Sequence, residues 1–210
     1  MSRDAINLAV LVSGGGTTLQ NLLDRIADHS LSARVRLVIG SRTGLGAETR
    51  AMGASLPYAI VARRKFSSIE TFSNRVFDLV DAANVDLVCL AGWLSLLRVP
   101  DRWMGRVMNI HPALLPSFGG KGMHGRHVHE SVLAHGCKVS GCTVHFVNNE
   151  YDAGPIIVQR CCPVLDDDTP ETLATRVFEQ ECLAYPEAIR LFAAGRLRID
   201  GRIVRVVDEK

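Results

Sequence analysis

The sequence predicts an α/β protein: an open, twisted, mostly parallel sheet with helices on both faces, and antiparallel strands added in the C-terminal half. Three observations carry this. Short apolar runs alternate with helix-spaced stripes through about residue 110, the pattern of successive βα units. Those runs are apolar throughout rather than at every second residue, as in strands covered on both faces. Past Pro116, two apolar runs meet across a polar loop, Asn148 to Pro155, which predicts an antiparallel pair.

Ile6 to Val12 reads as the first strand and runs straight into Ser13-Gly14-Gly15-Gly16-Thr17-Thr18. Leu19, Leu22, Leu23 and Ile26 follow at helical spacing. Val35 to Ile39 is a strand closed by Gly40, Gly46 to Ala54 a short helix, and Tyr58 to Val61 a third strand. Ile69, Phe72, Val76, Phe77 and Val80 form an amphipathic stripe ending near Asn84. Val85 to Ala91 and Val107 to Ile110 are buried strands, closed by Gly92 and by His111-Pro112. Ser117 to Gly122 is a glycine-rich loop and His127 to His135 a helix. Cys142 to Val147 and Ile156 to Val164 are strands. Glu171 to Ala194 is a long helix, and Arg196 to Val207 a hairpin around Asp200-Gly201. With no repeat or linker, residues 1–210 are expected to form a single domain, with a phosphate-binding half (1–110) and a second half (111–210).

Composition narrows the function. There are 24 Lys+Arg against 22 Asp+Glu, a net charge of +2, and 6% aromatics. Neither a basic footprint nor a base-stacking surface is present, so nucleic acid is not the expected partner. No apolar run reaches the ~18 residues of a membrane span. Met1-Ser2-Arg3-Asp4 lacks the regions of a signal peptide. Four of the six cysteines lie in apolar runs and none forms a CxxC pair. They are expected to be buried or half-buried free thiols in a reducing cytoplasm.

Three segments carry chemistry. In Ser13 to Thr18, a strand feeds a glycine turn and then a helix, so backbone N–H groups and the helix dipole favour an anion such as phosphate. It is not a Walker A loop, because no Gly-Lys-Ser/Thr follows. Leu19 stands where a dinucleotide fingerprint needs its third glycine. The alternative is a tight turn with an N-cap threonine. In Asn109-Ile110-His111-Pro112, residues two apart project to one face, setting an amide beside an imidazole at the carboxyl edge, as an oxyanion requires. Asp152, before Ala153-Gly154-Pro155, is a turn residue by default; placed against His111, it would raise the imidazole pKa and hold its tautomer. His124, His127 and His129 superficially resemble a metal cluster, but His127 and His129 fall on different helix faces and no metal is expected. His145 reads as a packed strand histidine, and Arg63-Arg64-Lys65 as a solvated turn.

With these segments in view, the sequence resembles the phosphoribosylglycinamide formyltransferases, folate-dependent enzymes of purine synthesis. The resemblance is carried by Ser13-Gly14-Gly15-Gly16-Thr17-Thr18-Leu19-Gln20, Leu90-Ala91-Gly92-Trp93, Asn109-Ile110-His111-Pro112-Ala113-Leu114-Leu115-Pro116, Gly141 to Val147, and Asp152-Ala153-Gly154-Pro155-Ile156-Ile157. It spans about Asn7 to Gly195. It implies a formyltransferase fold, a cytoplasmic monomer or homodimer, no metal, and transfer of the formyl group of 10-formyltetrahydrofolate to the amine of glycinamide ribonucleotide. It further implies Asn109, His111 and Asp152 as the catalytic trio, with His111 acting as imidazolium. Gly16, Thr17, Thr18, Gly92 and Glu181 would hold the nucleotide. Trp93, Leu94, Ser95, Leu96 and Leu97, with Asn109, Asn148, Asn149, Glu150 and Tyr151, would enclose the folate. Family arginines that meet the folate fall on Ile69 and Ser95, so its glutamate tail is expected to meet Arg63, Arg64 or Lys65, or to be held loosely.

Two rivals share the trio. A formyltetrahydrofolate hydrolase usually carries an extra N-terminal domain, for which a first strand near residue 6 leaves no room. A methionyl-tRNA formyltransferase adds a C-terminal barrel, against ~15 residues after Gly195. A third reading, an NADP-binding module resting on Gly14, Gly16 and Arg42, leaves Asn109, His111 and Asp152 without a purpose.

Overall fold

The computed structural model describes residues 5–208. Met1–Asp4, read above as lacking signal-peptide regions, lie outside the described residues. The fold is α/β, with parallel strands first, antiparallel strands toward the C-terminus and helices on both sides. The chain forms two compact units, Met1–Met108 and Asn109–Lys210.

The first unit holds β1 (Ile6–Val12), α1 (Thr17–Ala27), β2 (Ala33–Gly40), α2 (Gly46–Gly53), β3 (Tyr58–Ile60), α3 (Ile69–Ala82) and β4 (Leu87–Leu90). Its strands run β3-β2-β1-β4, all parallel. Leu8, Val10, Leu11, Val38, Ile39, Leu87 and Val88 are buried, because crossover connections cover a parallel sheet on both faces. The order reverses at β1, so the loops leaving β1 and β4 lie side by side at the carboxyl edge. Ser13 N–H donates to the Gly92 carbonyl at 3.2 Å, and Leu94 N–H to Ser13 Oγ at 3.2 Å. Open α/β sheets bind ligands at such a reversal. Helix α3 starts at a capping box: Ser68 Oγ accepts from Thr71 N–H at 3.1 Å, worth about 1 kcal/mol. The predicted strand Val85 to Ala91 is trimmed at both ends. Both end residues are buried, which accounts for their apolar signal, and Ala91 N–H still donates to the Leu11 carbonyl of β1 at 2.8 Å.

β5 (Val107–His111) leads into the second unit, which holds α4 (Arg126–Ala134), β6 (Val139–Phe146), β7 (Ile156–Pro163), α5 (Pro170–Ala193), β8 (Leu197–Asp200) and β9 (Ile203–Val206). β6 and β7 pair antiparallel, as do β8 and β9, while β7 meets β9 in parallel at Ile156 and Ile203. β6 begins three residues earlier than the apolar pattern predicts. Its ladder reaches Val139 opposite Pro163, through Ser140 and Gly141, which carry no apolar signal; a Cβ at Gly141 would collide with the Arg160 carbonyl. α5 packs on β6 and β7 and runs on through Pro186, which is buried. The cysteine expectation fails at one position. Cys161 is exposed while Cys162 is buried, because successive strand residues face opposite ways. Among the described residues, no helix is long and apolar enough to cross a membrane.

Candidate active site

In the first unit, the glycine turn delivers α1 with an uncapped N-terminus. Its N-cap is Gly16, at φ 77°, and no side chain caps the helix, so the alternative of an N-cap threonine does not hold. Thr17 and Thr18 are already helical, Thr17 exposed and Thr18 buried. A Cβ at Gly16 would lie 2.7 Å from Ala47 Cβ. Glycine is therefore required by helix α2 and by the left-handed backbone, while Gly14 and Gly15 face open space. No acidic side chain sits in the first turn of α1, which leaves the dipole unopposed for an anion.

The loop after β4 begins at exposed Gly92, at φ 75°. Trp93 and Leu97 are buried, Leu94 is exposed, and Ser95 and Leu96 are half-buried. Trp93 stacks on Phe72 of α3, centroids 6.1 Å apart and planes 6° from parallel. Arg63 is engaged: its Nη1 donates to the Phe66 carbonyl at 2.8 Å, and its guanidinium lies over the Phe72 ring. Arg64 and Lys65 are exposed, as a solvated turn should be.

The second unit gathers Asn109 and His111 of β5 with Asp152 from the loop between β6 and β7. Asp152 adopts φ 53°, a left-handed conformation that Asp tolerates better than most residues. A Cβ at the neighbouring Gly154 would strike the Phe146 carbonyl, so the loop folds back tightly onto β6. Asp152 Oδ2 accepts from Gly120 N–H at 2.9 Å and lies 3.5 Å from His111 Nδ1. Asp152 Oδ1 accepts from Asn109 Nδ2 at 3.4 Å. Thr143 anchors the exit loop of β5: its Oγ1 accepts from Leu115 N–H at 3.0 Å and donates to the Ala113 carbonyl at 2.7 Å.

His145 of β6, read from sequence as a packed strand histidine, belongs to this cluster. Its Nδ1 faces the Phe146 carbonyl at 2.9 Å and must donate there, which leaves Nε2 to accept from Asn109 Nδ2 at 3.1 Å. Both Asn109 N–H groups are thus engaged, and the carboxamide cannot flip without setting its oxygen against Asp152. Asp152 Oδ1 also lies 3.7 Å from His145 Nε2. Spacing exposed only that His145 faces away from Val144 and Phe146; no sequence signal pairs it with a residue 36 positions earlier.

The His111 ring is oriented through Nε2. Its Nε2 lies 2.8 Å from the Phe118 carbonyl and must donate there, which leaves Nδ1 toward Asp152. Phe118 itself sits at φ 52°, a strained backbone that aims its carbonyl at the ring. Burial pushes the His111 pKa down; the Asp152 carboxylate and the Phe118 carbonyl push it up, and His145 pushes it down again. The outcome lies below the ordinary histidine value. The expectation of a raised pKa and a standing imidazolium is therefore corrected: desolvation of a ring whose side chain is 4% exposed outweighs one carboxylate. Burial would raise Asp152, but hydrogen bonding from the His145 side, the His111 charge and Gly120 N–H outweigh it and hold the carboxyl below its ordinary value.

Nearby, His129 of α4 is buried with no partner for Nδ1, and burial pushes its pKa down. His127 is exposed and pairs with Glu130 at 3.1 Å. Asn148 and Asn149 are half-buried, and Glu150 and Tyr151 exposed; Asn148 Oδ1 accepts from Glu150 N–H at 3.0 Å. Glu181 of α5 is half-buried, and desolvation raises its carboxyl to about 8. Its charge, after burial itself, helps push the Cys142 thiol up to about 12.

The chain is 38% identical over 196 residues to the trifunctional purine biosynthetic protein adenosine-3 of Gallus gallus, covering 92% of this chain but only 19% of that protein. It is 38% identical over 194 residues to the chloroplastic phosphoribosylglycinamide formyltransferase of Arabidopsis thaliana, covering 91% of this chain and 66% of that one. The crystal structure of glycinamide ribonucleotide transformylase 1 from Symbiobacterium toebii superposes with a TM-score of 0.90 at 42% identity, covering 98% of this chain and 95% of that one. The profile of the formyl transferase family matches residues 6–189, nearly the whole described fold, and the chain belongs to that family.

Proposed function

We propose that the protein transfers a formyl group from 10-formyltetrahydrofolate to the amine of glycinamide ribonucleotide in purine biosynthesis. The observation that carries this reading is the convergence of Asn109 and His111 on the single carboxylate of Asp152. The substrate amine attacks the formyl carbon, a C–N bond forms, and the carbonyl oxygen becomes an oxyanion. Asn109 Nδ2 supplies a donor. Its long bond to Asp152, at 3.4 Å, is the one that yields to a stronger acceptor, while His145 keeps the amide oriented.

His111 starts neutral, with its proton held on Nε2 by the Phe118 carbonyl. Its Nδ1 is then free to take the proton released by the attacking amine. Once charged, Nδ1–H faces both Asp152 and the oxyanion. Collapse breaks the C–N bond to the donor, and the same proton passes to the leaving nitrogen. Asp152 stabilises the transient imidazolium and needs no proton of its own, consistent with its low pKa.

The open N-terminus of α1 at Gly16, Thr17 and Thr18 takes the nucleotide phosphate. Exposed Gly92 offers backbone, and Glu181 accepts from ribose hydroxyls. Trp93 through Leu97 and Asn148 through Tyr151 contact the folate. The test is tetrahydrofolate production with and without glycinamide ribonucleotide. Production only with the nucleotide supports the transferase; production without it makes the protein a hydrolase and rejects this reading.

A further inference from the structure

The loop that reads as the phosphate site is held from behind by a side chain that no motif contains. Arg50, the fifth residue of α2, donates from Nε to the Gly15 carbonyl at 3.0 Å and from Nη1 to Gln20 Oε1 at 3.0 Å. Gln20 in turn donates from Nε2 to Asp24 Oδ1 at 2.8 Å, which fixes its amide with the oxygen toward Arg50. One planar guanidinium therefore ties the glycine turn to the body of α1, a fork that Lys cannot reproduce.

The direction of these bonds matters more than their number. Ala47 N–H donates to the Gly14 carbonyl at 3.4 Å, so the carbonyls of Gly14 and Gly15 both point at α2. In a planar trans peptide, each carbonyl points opposite the N–H of the following residue. The N–H groups of Gly15 and Gly16 are therefore turned away from α2. Gly15 has no side chain to anchor it, and a Cβ there would meet nothing within 4 Å; a glycine loses more freedom than any other residue when ordered. Gly46 completes the arrangement, since a Cβ there would come within 2.9 Å of the Gly15 carbonyl and push α2 off the loop.

We propose that Arg50 is a positioning residue for nucleotide binding. By holding the Gly15 carbonyl and Gln20 together, it preorganises the backbone donors that receive the substrate's phosphate. This rests on the reading of the loop as the phosphate site. Arg50 touches loop carbonyl and side chain rather than the reacting atoms, so its effect falls on nucleotide affinity and leaves the chemical step alone.

The experiment measures dissociation constants of ribose 5-phosphate, glycinamide ribonucleotide and tetrahydrofolate by calorimetry, with steady-state kinetics on the same preparations. Wild-type protein that does not bind ribose 5-phosphate overturns the phosphate reading of the loop, before any variant is made. Given binding, Arg50→Ala should weaken both phosphate ligands by roughly 5- to 20-fold, the loss of one hydrogen-bonded fork and an ordered glycine. Tetrahydrofolate binding and kcat at saturating nucleotide should stay within about twofold of wild type, since ground-state binding alone is lost. Arg50→Lys keeps the charge and loses the fork, and should behave like Arg50→Ala; wild-type affinity in Arg50→Lys would mean that only the charge counts and would overturn the clamp. Unchanged nucleotide affinity in Arg50→Ala, or equal weakening of folate, overturns it as well. Gln20→Ala removes the second anchor alone and gives a smaller rise in the same direction; no rise at all there counts against the clamp even if Arg50→Ala does not fold.

Discussion

Adjacent glycines in the turn after β1 should respond oppositely to the same methyl group. Gly16→Ala places a Cβ 2.7 Å from Ala47 Cβ and 2.8 Å from Ala47 Cα, on a backbone at φ 77°. The left-handed conformation costs a non-glycine residue roughly 1–2 kcal/mol, and overpacking against a helix adds roughly 1–3 kcal/mol. A loss of about 2–5 kcal/mol in a chain of this size lowers Tm by roughly 4–20 °C. Gly15→Ala meets nothing within 4 Å and has no positive φ. It should melt within about 2 °C of wild type, or slightly higher, because the substitution restricts the unfolded chain. Thermal denaturation of both variants, followed by circular dichroism on matched preparations, is the assay. A Gly16→Ala protein that melts with wild type, or two variants that melt alike, would refute the packing argument. Gly16 would then be required by the ligand alone.

The remaining predictions concern charge. Asp152→Asn removes the carboxylate that pushes His111 up, so the His111 pKa should fall further in an NMR titration; no downward shift would sink the pairing. Because the folded pKa of His111 is depressed, stability is lost as pH falls through the unfolded histidine value near 6.5, and the variant should lose more of it. Asn109→Ala and His111→Ala should each lower kcat by roughly 10²–10³, and the double variant should lose less than the product because both act on one oxygen. Near-normal kcat with a raised KM would make either residue a binding contact instead. Glu181 has its folded pKa raised to about 8 from 4.5, so the folded state holds the extra proton in that window and stability falls as pH rises through it. Glu181→Gln removes this slope, so the Tm of wild type relative to the variant should decline between pH 5 and 8. Glu181→Ala, which also removes the acceptor, should weaken nucleotide by roughly tenfold, and unchanged affinity would take Glu181 out of the ribose site.

Local pattern was enough for the elements whose signal is local. The βα alternation, the antiparallel pair after Pro116 and the turn at Asp200-Gly201 follow from periodicity and turn chemistry, which depend on neighbours a few residues away. Asn109 and His111 could be set on one face because strand side chains alternate. The start of β6 carries no such local signal, because Gly141 is there to fit the Arg160 backbone, a partner 19 residues on.

Tertiary structure decided what depends on residues distant in the chain. Asp152 reaches His111 across 41 positions, and His145 reaches Asn109 across 36; neither distance leaves a trace in local periodicity. Arg50 grips Gly15 from 35 positions away. The sign of the His111 shift was also beyond the sequence. A carboxylate partner alone predicts a raised pKa, and only the burial of the ring reverses it. Residue type and spacing determine which groups are available and which way the chain turns. Solvation and the geometry of long-range hydrogen bonds determine their protonation and their orientation, and those exist only once the chain has closed on itself.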